Sequence, residues 1–318
     1  MPKTNILITG GAGFIGSNLV KYFLDDERTG LIRVLDNLSN GYYENIKPFI
    51  SHSKFEFIEG DIRDYETCLK ACKNIDKISH QAALGSVPRS IEDPITSTDV
   101  NILGTVKILH AAVQEKVERV VLAFSSSTYG DHKALPKIEG KIGNPLSPYA
   151  ITKSCIEQYS RVFSDIYGLD WVGLRYFNVF GPNQSPTNPY AAVIPIFCNA
   201  AINDLPININ GDGNTSRDFT YIENVLKMND LSLFTTNPDA INQTYNCACG
   251  KRTTLNELVE IISKITNKQL KINYKPERKG DVKHSLASIE KANKLLGYTP
   301  DIQIKEGLKR TIEHLSHL

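Results

Sequence analysis

The sequence predicts an α/β protein built on a doubly wound parallel sheet, with a smaller mixed α/β lobe toward the C-terminus. Three observations predict this fold. Strand-like segments alternate with helical ones along the first half of the chain, a glycine-rich turn joins the first strand to the first helix, and the alternation loosens beyond residue 180. The predicted strands lie near residues 5–9, 31–35, 54–59, 77–80, 119–124 and 171–175, and the predicted helices near 14–25, 64–73, 97–115 and 148–167.

The second lobe is predicted from the change in composition after Phe180. Prolines stand at positions 182, 186 and 189 of a polar stretch, and amphipathic helices are predicted near 254–265, 288–296 and 304–315. Residues 220–246 instead predict a helix and an added strand of the first sheet. We therefore expect one domain to comprise residues 1–179 and 220–247, and the other residues 180–219 and 248–318.

Composition is typical of a soluble globular protein. Of the 318 residues, 41% are hydrophobic and 22% are charged. A net charge of +1 without a basic stripe argues against nucleic acid as a partner. No apolar run approaches the roughly 18 residues of a membrane span, and no signal-peptide pattern is present. We therefore expect a cytoplasmic protein with no membrane partner.

The six cysteines are expected to be reduced thiols. Two pairs, Cys68 with Cys72 and Cys247 with Cys249, lack the two-residue separation and the neighbouring histidine pair that are typical of zinc sites. The sequence therefore predicts no metal site.

A glycine-rich turn follows the first predicted strand directly. The segment is Gly10-Gly11-Ala12-Gly13-Phe14-Ile15-Gly16, and a helical pattern begins within it. Strand, turn and helix in this order suit a dinucleotide, because glycines let the backbone approach a pyrophosphate at the helix N-terminus. The Gly-xx-Gly-xx-Gly spacing is weak evidence by itself. The predicted cofactor contacts in this turn are Gly10, Gly13, Phe14, Ile15 and Gly16.

The second predicted strand ends in an acidic residue suited to a ribose. Asp36 stands 20 residues after Gly16, where a carboxylate can accept hydrogen bonds from the adenosine ribose hydroxyls. Because a 2′-phosphate would meet this negative charge, NAD is predicted rather than NADP. The alternative is a turn-forming Asp before Asn37. Further predicted cofactor contacts are Asn37, then Asp61 and Ile62 beside the adenine, and Gln81, Ala82 and Ala83 beneath the cofactor.

A tyrosine and a lysine on one helix face are candidate catalytic groups. Tyr149 and Lys153 are four residues apart, so their side chains project from the same side of the predicted helix. A phenol titrates at about pH 10, and a neighbouring cation favours its phenolate, which can then act as a general base. An ordinary amphipathic pair is the alternative. The serines at 125–127 follow the fifth predicted strand and bring hydroxyl groups to the same sheet edge.

With these elements the chain resembles the extended short-chain dehydrogenase/reductase superfamily, which combines a Rossmann glycine loop with a Ser/Thr and a Tyr-xxx-Lys. Within it, the chain is similar to nucleotide-sugar 4-epimerases, specifically the bacterial UDP-N-acetylglucosamine 4-epimerases. The likeness runs from residue 5 to the C-terminus. The segments that carry it are Gly85-Ser86-Val87-Pro88-Arg89-Ser90, Asn144-Pro145-Leu146-Ser147-Pro148-Tyr149, Leu174-Arg175-Tyr176-Phe177-Asn178-Val179-Phe180-Gly181, Tyr190-Ala191-Ala192-Val193-Ile194-Pro195, Asn210-Gly211-Asp212-Gly213, Ser216-Arg217-Asp218-Phe219 and Gly280-Asp281-Val282.

The resemblance implies a 4-epimerase mechanism. Tyr149 as phenolate removes the proton of the sugar 4-hydroxyl while C4 passes a hydride to a permanently bound NAD. Lys153 lowers the pKa of Tyr149 and hydrogen-bonds the nicotinamide ribose, and Ser125 holds the hydroxyl in line. The 4-keto sugar then rotates and receives the hydride on its other face. Asn101 is implied to support the tyrosine helix or the cofactor pocket, and Asn101 and Tyr176 are both implied to be cofactor-binding residues. Substrate contacts are implied for Ser86, Arg89, Ser125, Ser126, Ser127, Tyr149, Asn178, Ala192, Val193, Asn208, Arg217, Arg278, Asp281 and Ser285.

The resemblance also implies the substrate. Ser285 matches a position where a bulky residue restricts the space beside the sugar C2 substituent, so serine implies room for an N-acetyl group. Conversion of UDP-N-acetylglucosamine to UDP-N-acetylgalactosamine for surface polysaccharide precursors is expected, with UDP-N-acetylglucosamine uronate or UDP-glucose as alternative substrates. A 4,6-dehydratase would need an acidic pair where Ser126 and Ser127 stand. A UDP-sugar dehydrogenase or decarboxylase would release NADH, and a non-catalytic NAD-binding sensor would typically lack Tyr149 or Lys153.

A homodimer is expected from the same likeness. The helices predicted near 97–115 and 148–167 resemble the pair that packs across a two-fold axis in this family. Ile102, Val106 and Leu109 form one candidate apolar stripe for this contact.

Overall fold

Seven parallel strands form the central sheet, which confirms the predicted α/β class. The computed structural model describes residues 3–188, 191–277 and 283–317. The strands of the described chain are β1 Thr4–Thr9, β2 Thr29–Asp36, β3 Phe55–Glu59, β4 Lys77–His80, β5 Arg119–Ser125, β6 Asp170–Tyr176, β7 Val179–Phe180, β8 Ile207–Asn210, β9 Ser216–Arg217, β10 Thr220–Tyr221, β11 Gln243–Cys247, β12 Thr253–Thr254 and β13 Ile272–Lys275. The order in the central sheet is β11-β6-β5-β4-β1-β2-β3.

Helices cover the sheet and fill the second lobe. They are α1 Phe14–Leu24, α2 Tyr65–Cys72, α3 Val87–Glu92, α4 Pro94–Thr98, α5 Thr105–Gln114, α6 Pro148–Tyr167, α7 Val193–Ile202, α8 Ile222–Phe234, α9 Leu255–Thr266, α10 Glu290–Leu296 and α11 Ile304–Leu315. The region predicted as one helix near 97–115 is helical throughout 94–114. It is divided into α4, a π-helical segment Asp99–Gly104 and α5.

The order of the strands creates a binding crevice. β1 pairs with β2 on one side and with β4 on the other, so the direction of winding reverses between β1 and β4. In doubly wound sheets, ligands bind at the carboxyl ends of the strands beside such a reversal. Ile6, Leu7 and Ile8 of β1 are all fully buried, as expected for a parallel strand covered on both faces. The carboxyl end of β1 is thus firmly placed at the crevice.

Local signals explain the helix that carries the candidate tyrosine. Ser147 accepts a hydrogen bond from the backbone N–H of Ala150, and Pro148 occupies the first turn, where its missing N–H costs nothing. Gly168 ends α6 in the left-handed conformation, with φ of 69°. These caps fix α6 at the bounds that the sequence predicts.

Residues 220–247 return to the central sheet. They form α8 and β11, and β11 pairs in parallel with β6, Gln243 opposite Val172 and Cys247 opposite Tyr176. The other described residues beyond 180 form α7, α9, α10, α11 and short strand pairs, β8 with β13 and β9 with β12. This arrangement agrees with an interleaved chain path, while the domain boundaries themselves stay a prediction.

The predicted dimer stripe is wrong in part. Leu109 is fully buried and packs in the core formed by α2, α5 and the sheet, while Ile102 and Val106 are half-buried. Exposed apolar side chains lie instead on α6, at Ile151 and Ile166 among others. No helix within the described ranges is long and apolar enough to cross a membrane.

Candidate active site

A cleft of about 570 Å³ opens at the carboxyl edge of the central sheet. It runs from the glycine turn after β1, past the ends of β2 to β4, to the end of β5 and the start of α6. The predicted site residues that line it are Gly10, Gly13, Phe14, Ile15, Gly16, Asp36, Asn37, Asp61, Ile62, Gln81, Ala82, Ala83, Arg89, Ser125, Tyr149, Lys153, Tyr176, Asn178 and Ala192. The fold therefore gathers most of them along one continuous surface.

Each glycine of the turn has its own steric reason. Gly10 has a φ of 69°, and a Cβ there would meet the backbone N of Ala82 at 2.7 Å. At Gly16 a Cβ would meet the carbonyl oxygen of Gly10 at 2.1 Å, so α1 packs directly on the turn. A Cβ on Gly13 would have one neighbour within 4 Å, the same carbonyl oxygen at 3.2 Å, and otherwise projects into the cleft. Gly13 thus leaves space for a ligand, whereas Gly10 and Gly16 allow the close backbone contacts of the turn itself.

Asp36 anchors the turn from the end of β2. Its Oδ2 accepts a hydrogen bond from the N–H of Ala12 at 2.9 Å, and its Oδ1 accepts one from the N–H of Leu38 at 2.8 Å. Burial raises the pKa of Asp36, and these two bonds oppose the rise. A carboxylate offers about four acceptor positions, so Asp36 retains the capacity to accept further hydroxyl groups in the cleft.

Asp61 has a different environment. It accepts hydrogen bonds from Arg63 and from Asn37 Nδ2, the latter at 2.8 Å. Hydrogen bonds from Arg63 are the main reason that its pKa falls to about 2. Asp61 is therefore a fixed anion that orients Asn37 and Arg63 at the cleft wall.

Ser125, Tyr149 and Lys153 converge at the inner end of the cleft. The hydroxyl of Ser125 acts on the phenol of Tyr149 and lowers its pKa against the effect of burial. The Nζ of Lys153 lies 5.8 Å from the centroid of the Tyr149 ring and donates to the carbonyl oxygen of Ala123 at 2.7 Å. Burial lowers the pKa of Lys153 to about 8. A phenol, a hydroxyl and a weakened ammonium group are thus placed side by side.

Two opposing influences act on the pKa of Tyr149. Burial raises this pKa above its ordinary value, and Ser125 opposes the rise. The ammonium group of Lys153 donates to the carbonyl oxygen of Ala123, and its expected lowering of the Tyr149 pKa stays a prediction. Ser125 is the direct partner of the phenol.

The turn after β5 orients Ser125. Its Oγ accepts hydrogen bonds from the backbone N–H of Ser127 at 3.1 Å and from the hydroxyl of Ser127 at 2.9 Å. A hydroxyl oxygen has two lone pairs, so the Ser125 proton is left to be donated to Tyr149 or to a ligand. Ser126 and Ser127 lie outside the lining of the cleft. Ser127 instead has an orienting role that the sequence did not show.

Asn101 does not line the cleft. It lies in the π-helical segment, and its side chain exchanges hydrogen bonds with the backbone of Leu84 and donates to Thr152 Oγ1 at 3.2 Å. Thr152 in turn donates to the carbonyl oxygen of Tyr149. Asn101 thus supports the tyrosine helix, one of the roles that the resemblance implied, and its contact with a cofactor stays a prediction.

The comparisons with known proteins agree with this geometry. Residues 7–311 match the model of the family described as GDP-mannose 4,6 dehydratase. The chain belongs to this family. Its glycine turn, serine and Tyr-xxx-Lys also place this family member in the extended short-chain dehydrogenase/reductase superfamily, as the resemblance implied.

Three similar proteins narrow the chemistry. A putative UDP-glucose 4-epimerase of Methanocaldococcus jannaschii is 37% identical over 98% of each chain. The structure of a UDP-N-acetylglucosamine 4-epimerase from Methanobrevibacter ruminantium M1, in complex with UDP-N-acetylmuramic acid, is 39% identical, with a TM-score of 0.93 over 100% of both chains. The Thermus thermophilus UDP-glucose 4-epimerase, in complex with NAD, is 33% identical, with a TM-score of 0.87 over 98% of both chains. These proteins share a reaction type and differ in the sugar.

The remaining predicted substrate residues lie on several separate elements of the protein. Ser86 caps α3 with a φ of 117°, and Val193 begins α7. Asn208 lies in β8 and Arg217 in β9. Ser285 is buried, and its N–H donates to the carbonyl oxygen of Ser216 at 3.0 Å. The residues that fall outside the cleft lining are Ser86, Val193, Asn208, Arg217 and Ser285, and Arg278 and Asp281 lie outside the described residues.

Several cleft residues were missed by the sequence interpretation. Asn40, Gly41 and Tyr42 form a wall over the glycine turn, and a Cβ on Gly41 would meet the carbonyl carbon of Ala12 at 2.8 Å. The Asn-Gly pair is a turn signal that could have indicated this wall. Arg89 Nη2 donates to Asn40 Oδ1 at 3.2 Å, so the wall is joined to α3. No local pattern indicated that contact.

Proposed function

We propose that the protein is an NAD-dependent UDP-sugar 4-epimerase that converts UDP-N-acetylglucosamine to UDP-N-acetylgalactosamine through a transient 4-keto sugar. The observation that carries this proposal is the convergence of Ser125, Tyr149 and Lys153 in the cleft that the glycine turn and Asp36 also line. A role in supplying surface polysaccharide precursors belongs to the same proposal.

The residues of the cleft suit NAD. Gly13 leaves space in front of the N-terminus of α1, where backbone N–H groups and the helix dipole favour a pyrophosphate. Asp36 can accept ribose hydroxyls and would repel a 2′-phosphate. The similar Thermus epimerase is a complex with NAD. When bound, NAD supplies a hydride acceptor and donor for C4, and we expect it to remain bound between turnovers.

Tyr149 is assigned as the acid–base group. As phenolate it accepts the proton of the sugar 4-hydroxyl, and it returns a proton when C4 is reduced again. Burial disfavours this phenolate, so a hydrogen-bond donor and a neighbouring cation are needed to stabilise it. Ser125 supplies the donor and Lys153 supplies the charge. The three side chains therefore form one catalytic unit.

A 4,6-dehydratase, which the family's description would suggest, fits less well. That reaction removes water across two carbons and needs an acid and a base in addition to Tyr149. The residues that follow Ser125 are serines, and Ser127 is engaged in hydrogen bonds to Ser125. Neither Ser126 nor Ser127 can serve as a carboxylic acid. The non-catalytic sensor is disfavoured because Ser125, Tyr149 and Lys153 are all present and adjacent.

The choice of sugar depends on Ser285. The similar proteins include a putative UDP-glucose 4-epimerase and a UDP-N-acetylglucosamine 4-epimerase, so the likeness does not separate the two substrates. Ser285 has a small side chain in a segment that pairs with Ser216. We propose that this small residue leaves room for the acetamido group. UDP-glucose and UDP-N-acetylglucosamine uronate are the competing substrates.

The first experiment measures the reaction directly. The purified protein is incubated separately with UDP-N-acetylglucosamine, UDP-glucose and UDP-N-acetylglucosamine uronate, and NMR resolves the C4 epimers while absorbance monitors NADH. We expect epimerisation of the acetylated sugar without stoichiometric NADH. Accumulation of NADH would indicate a dehydrogenase, and absence of any product would remove the proposed function.

Replacing Tyr149 with Phe tests the assignment of the base. The ring packing is kept and the proton acceptor is lost, so kcat should fall by about 10²- to 10⁴-fold while bound NAD is retained. Near-normal turnover with full NAD content would contradict the role of Tyr149.

A further inference from the structure

An ion pair lies one helical turn beyond Lys153. Glu157 follows Lys153 by four residues on α6, so both side chains leave the same face of the helix. Arg175 on β6 donates from Nε and Nη2 to the two carboxylate oxygens of Glu157, at 2.9 and 2.7 Å. The two side chains are 4% and 14% exposed, so water screens them little. The catalytic steps described above do not use either residue.

Arg175 connects this pair to the serine turn. Its Nη1 donates to the carbonyl oxygen of Glu139 at 3.0 Å, and its guanidinium lies 4.8 Å from the centroid of the Tyr129 ring. Tyr129 closes the turn that begins at Ser125. The buried guanidinium of Arg175 thus connects the carboxylate of Glu157 on α6 to the serine turn.

Several charged or titratable groups face Lys153. Tyr149 precedes it on α6, and His80 approaches from β4. Burial lowers the pKa of His80 to about 3, so its ring is neutral at ordinary pH. The charge of Arg175 on β6 is paired with Glu157. Glu157 raises the pKa of Lys153 against the larger opposing influence of burial. The carboxylate that Arg175 holds is therefore also the group whose charge favours the buried ammonium of Lys153.

We propose that Glu157 is a positioning residue that keeps Lys153 protonated during turnover, with Arg175 holding the carboxylate in place. The proposal rests on the proposed function, in which a charged Lys153 stabilises the Tyr149 phenolate. In the proposed reaction, Tyr149 and Lys153 act as a coupled pair of titrating groups. When the pair has lost one proton, only the form with phenolate and ammonium is competent. Glu157 favours the form with phenolate and ammonium over the inactive form, in which Tyr149 is a neutral phenol and Lys153 a neutral amine.

Glu157→Gln tests the charge while keeping the side-chain length and one acceptor oxygen for Arg175. Without the carboxylate, Lys153 loses its proton at lower pH. At pH values where Lys153 is protonated in both proteins, their kcat values should agree within about twofold. By about pH 9 the variant should be roughly tenfold slower than wild type, since a fall of one unit in the pKa of Lys153 corresponds to a factor of ten. KM and NAD content should be unchanged. An equal loss at every pH, or no loss, would overturn the proposal.

Two further variants separate charge from packing. Glu157→Asp keeps the charge and shortens the side chain, so its pH profile should keep the wild-type shape whatever its amplitude. Glu56→Gln removes a carboxylate from the partly buried ion pair with Arg33, whose atoms are 2.9 Å apart on β2 and β3, on the side of the central sheet away from β6. This variant should leave the pH profile of kcat unchanged. A pH-dependent loss in either variant would overturn the role of Glu157, and the Asp variant preserves the test if Gln does not fold.

Lysine ¹⁵N NMR gives a measurement that needs no substrate. The Lys153 signal is identified by its disappearance in Lys153→Arg. Its midpoint should fall by about one unit in Glu157→Gln, and an unchanged midpoint would overturn the proposal. A wild type that epimerises no UDP-sugar, combined with the expected shift of this midpoint, would refute the proposed function and leave the role of Glu157 intact.

Discussion

Gly13 is a residue at which cofactor binding and folding can be separated. Its φ of −78° and ψ of 177° are open to any residue, and a Cβ there meets only the Gly10 carbonyl oxygen within 4 Å, at 3.2 Å. A Gly→Ala change at a compatible backbone position stabilises a protein by about 0.4–1 kcal/mol, because the unfolded chain loses freedom. The tight 3.2 Å contact offsets part of that gain. We therefore expect Gly13→Ala to fold with a free energy of unfolding close to that of wild type.

NAD binding should respond differently. The new methyl group would occupy the space in which a pyrophosphate meets the N-terminus of α1, and the phosphate would have to retreat from the backbone N–H groups. A hydrogen bond to a charged group contributes about 1.5–3 kcal/mol, and about 1.4 kcal/mol corresponds to tenfold in affinity. Loss of one such bond predicts a Kd for NAD that is roughly 10- to 100-fold higher.

The assay combines calorimetric titration of NAD with thermal unfolding of cofactor-free protein. Gly140→Ala is the matched control, because a Cβ there meets nothing within 4 Å and Gly140 does not line the cleft. Gly16→Ala should lose both stability and binding, since its Cβ would overlap the Gly10 carbonyl oxygen at 2.1 Å. Wild-type NAD affinity in Gly13→Ala would refute the assignment of this part of the cleft to the pyrophosphate.

Two other predictions concern the substrate and the assembly. Ser285→Tyr should lower kcat/KM for the acetylated UDP-sugars by at least about tenfold relative to UDP-glucose, which is the effect of one group that does not fit a pocket. Ser285→Ala is the control and should keep the wild-type preference. Equal losses of kcat/KM on both types of sugar would contradict the argument that Ser285 leaves room for the acetamido group. For the dimer, Ile151 and Ile166 are 50% and 66% exposed on α6, so Ile166→Asp should give a monomer mass in light scattering while Leu205→Asp, an exposed apolar residue on another surface, should not. A monomeric wild type at all concentrations would remove the dimer.

Local patterns in the sequence predicted the parts of the site that depend on neighbours along the chain. The positive φ of Gly10, the steric demand of Gly16, the caps of α6 and the shared face of Tyr149 and Lys153 are decided within a few residues. Such features follow from the geometry of turns and helices, which repeats at short and fixed spacing. The sequence therefore predicted the order of the main elements and the end of the sheet at which the cleft lies.

Contacts between distant segments were decided by the tertiary structure. Asn101 in the π-helical segment contacts Leu84 and Thr152, and Leu109 lies in the core rather than on the surface. Arg175 reaches Glu157 only because β6 lies beneath α6, beside β5. Strand order and register set such neighbours, and in this sheet β4 pairs with β1 rather than with β3. A one-dimensional pattern predicts which face of an element is apolar, but the packing of the whole chain selects the partner that meets it.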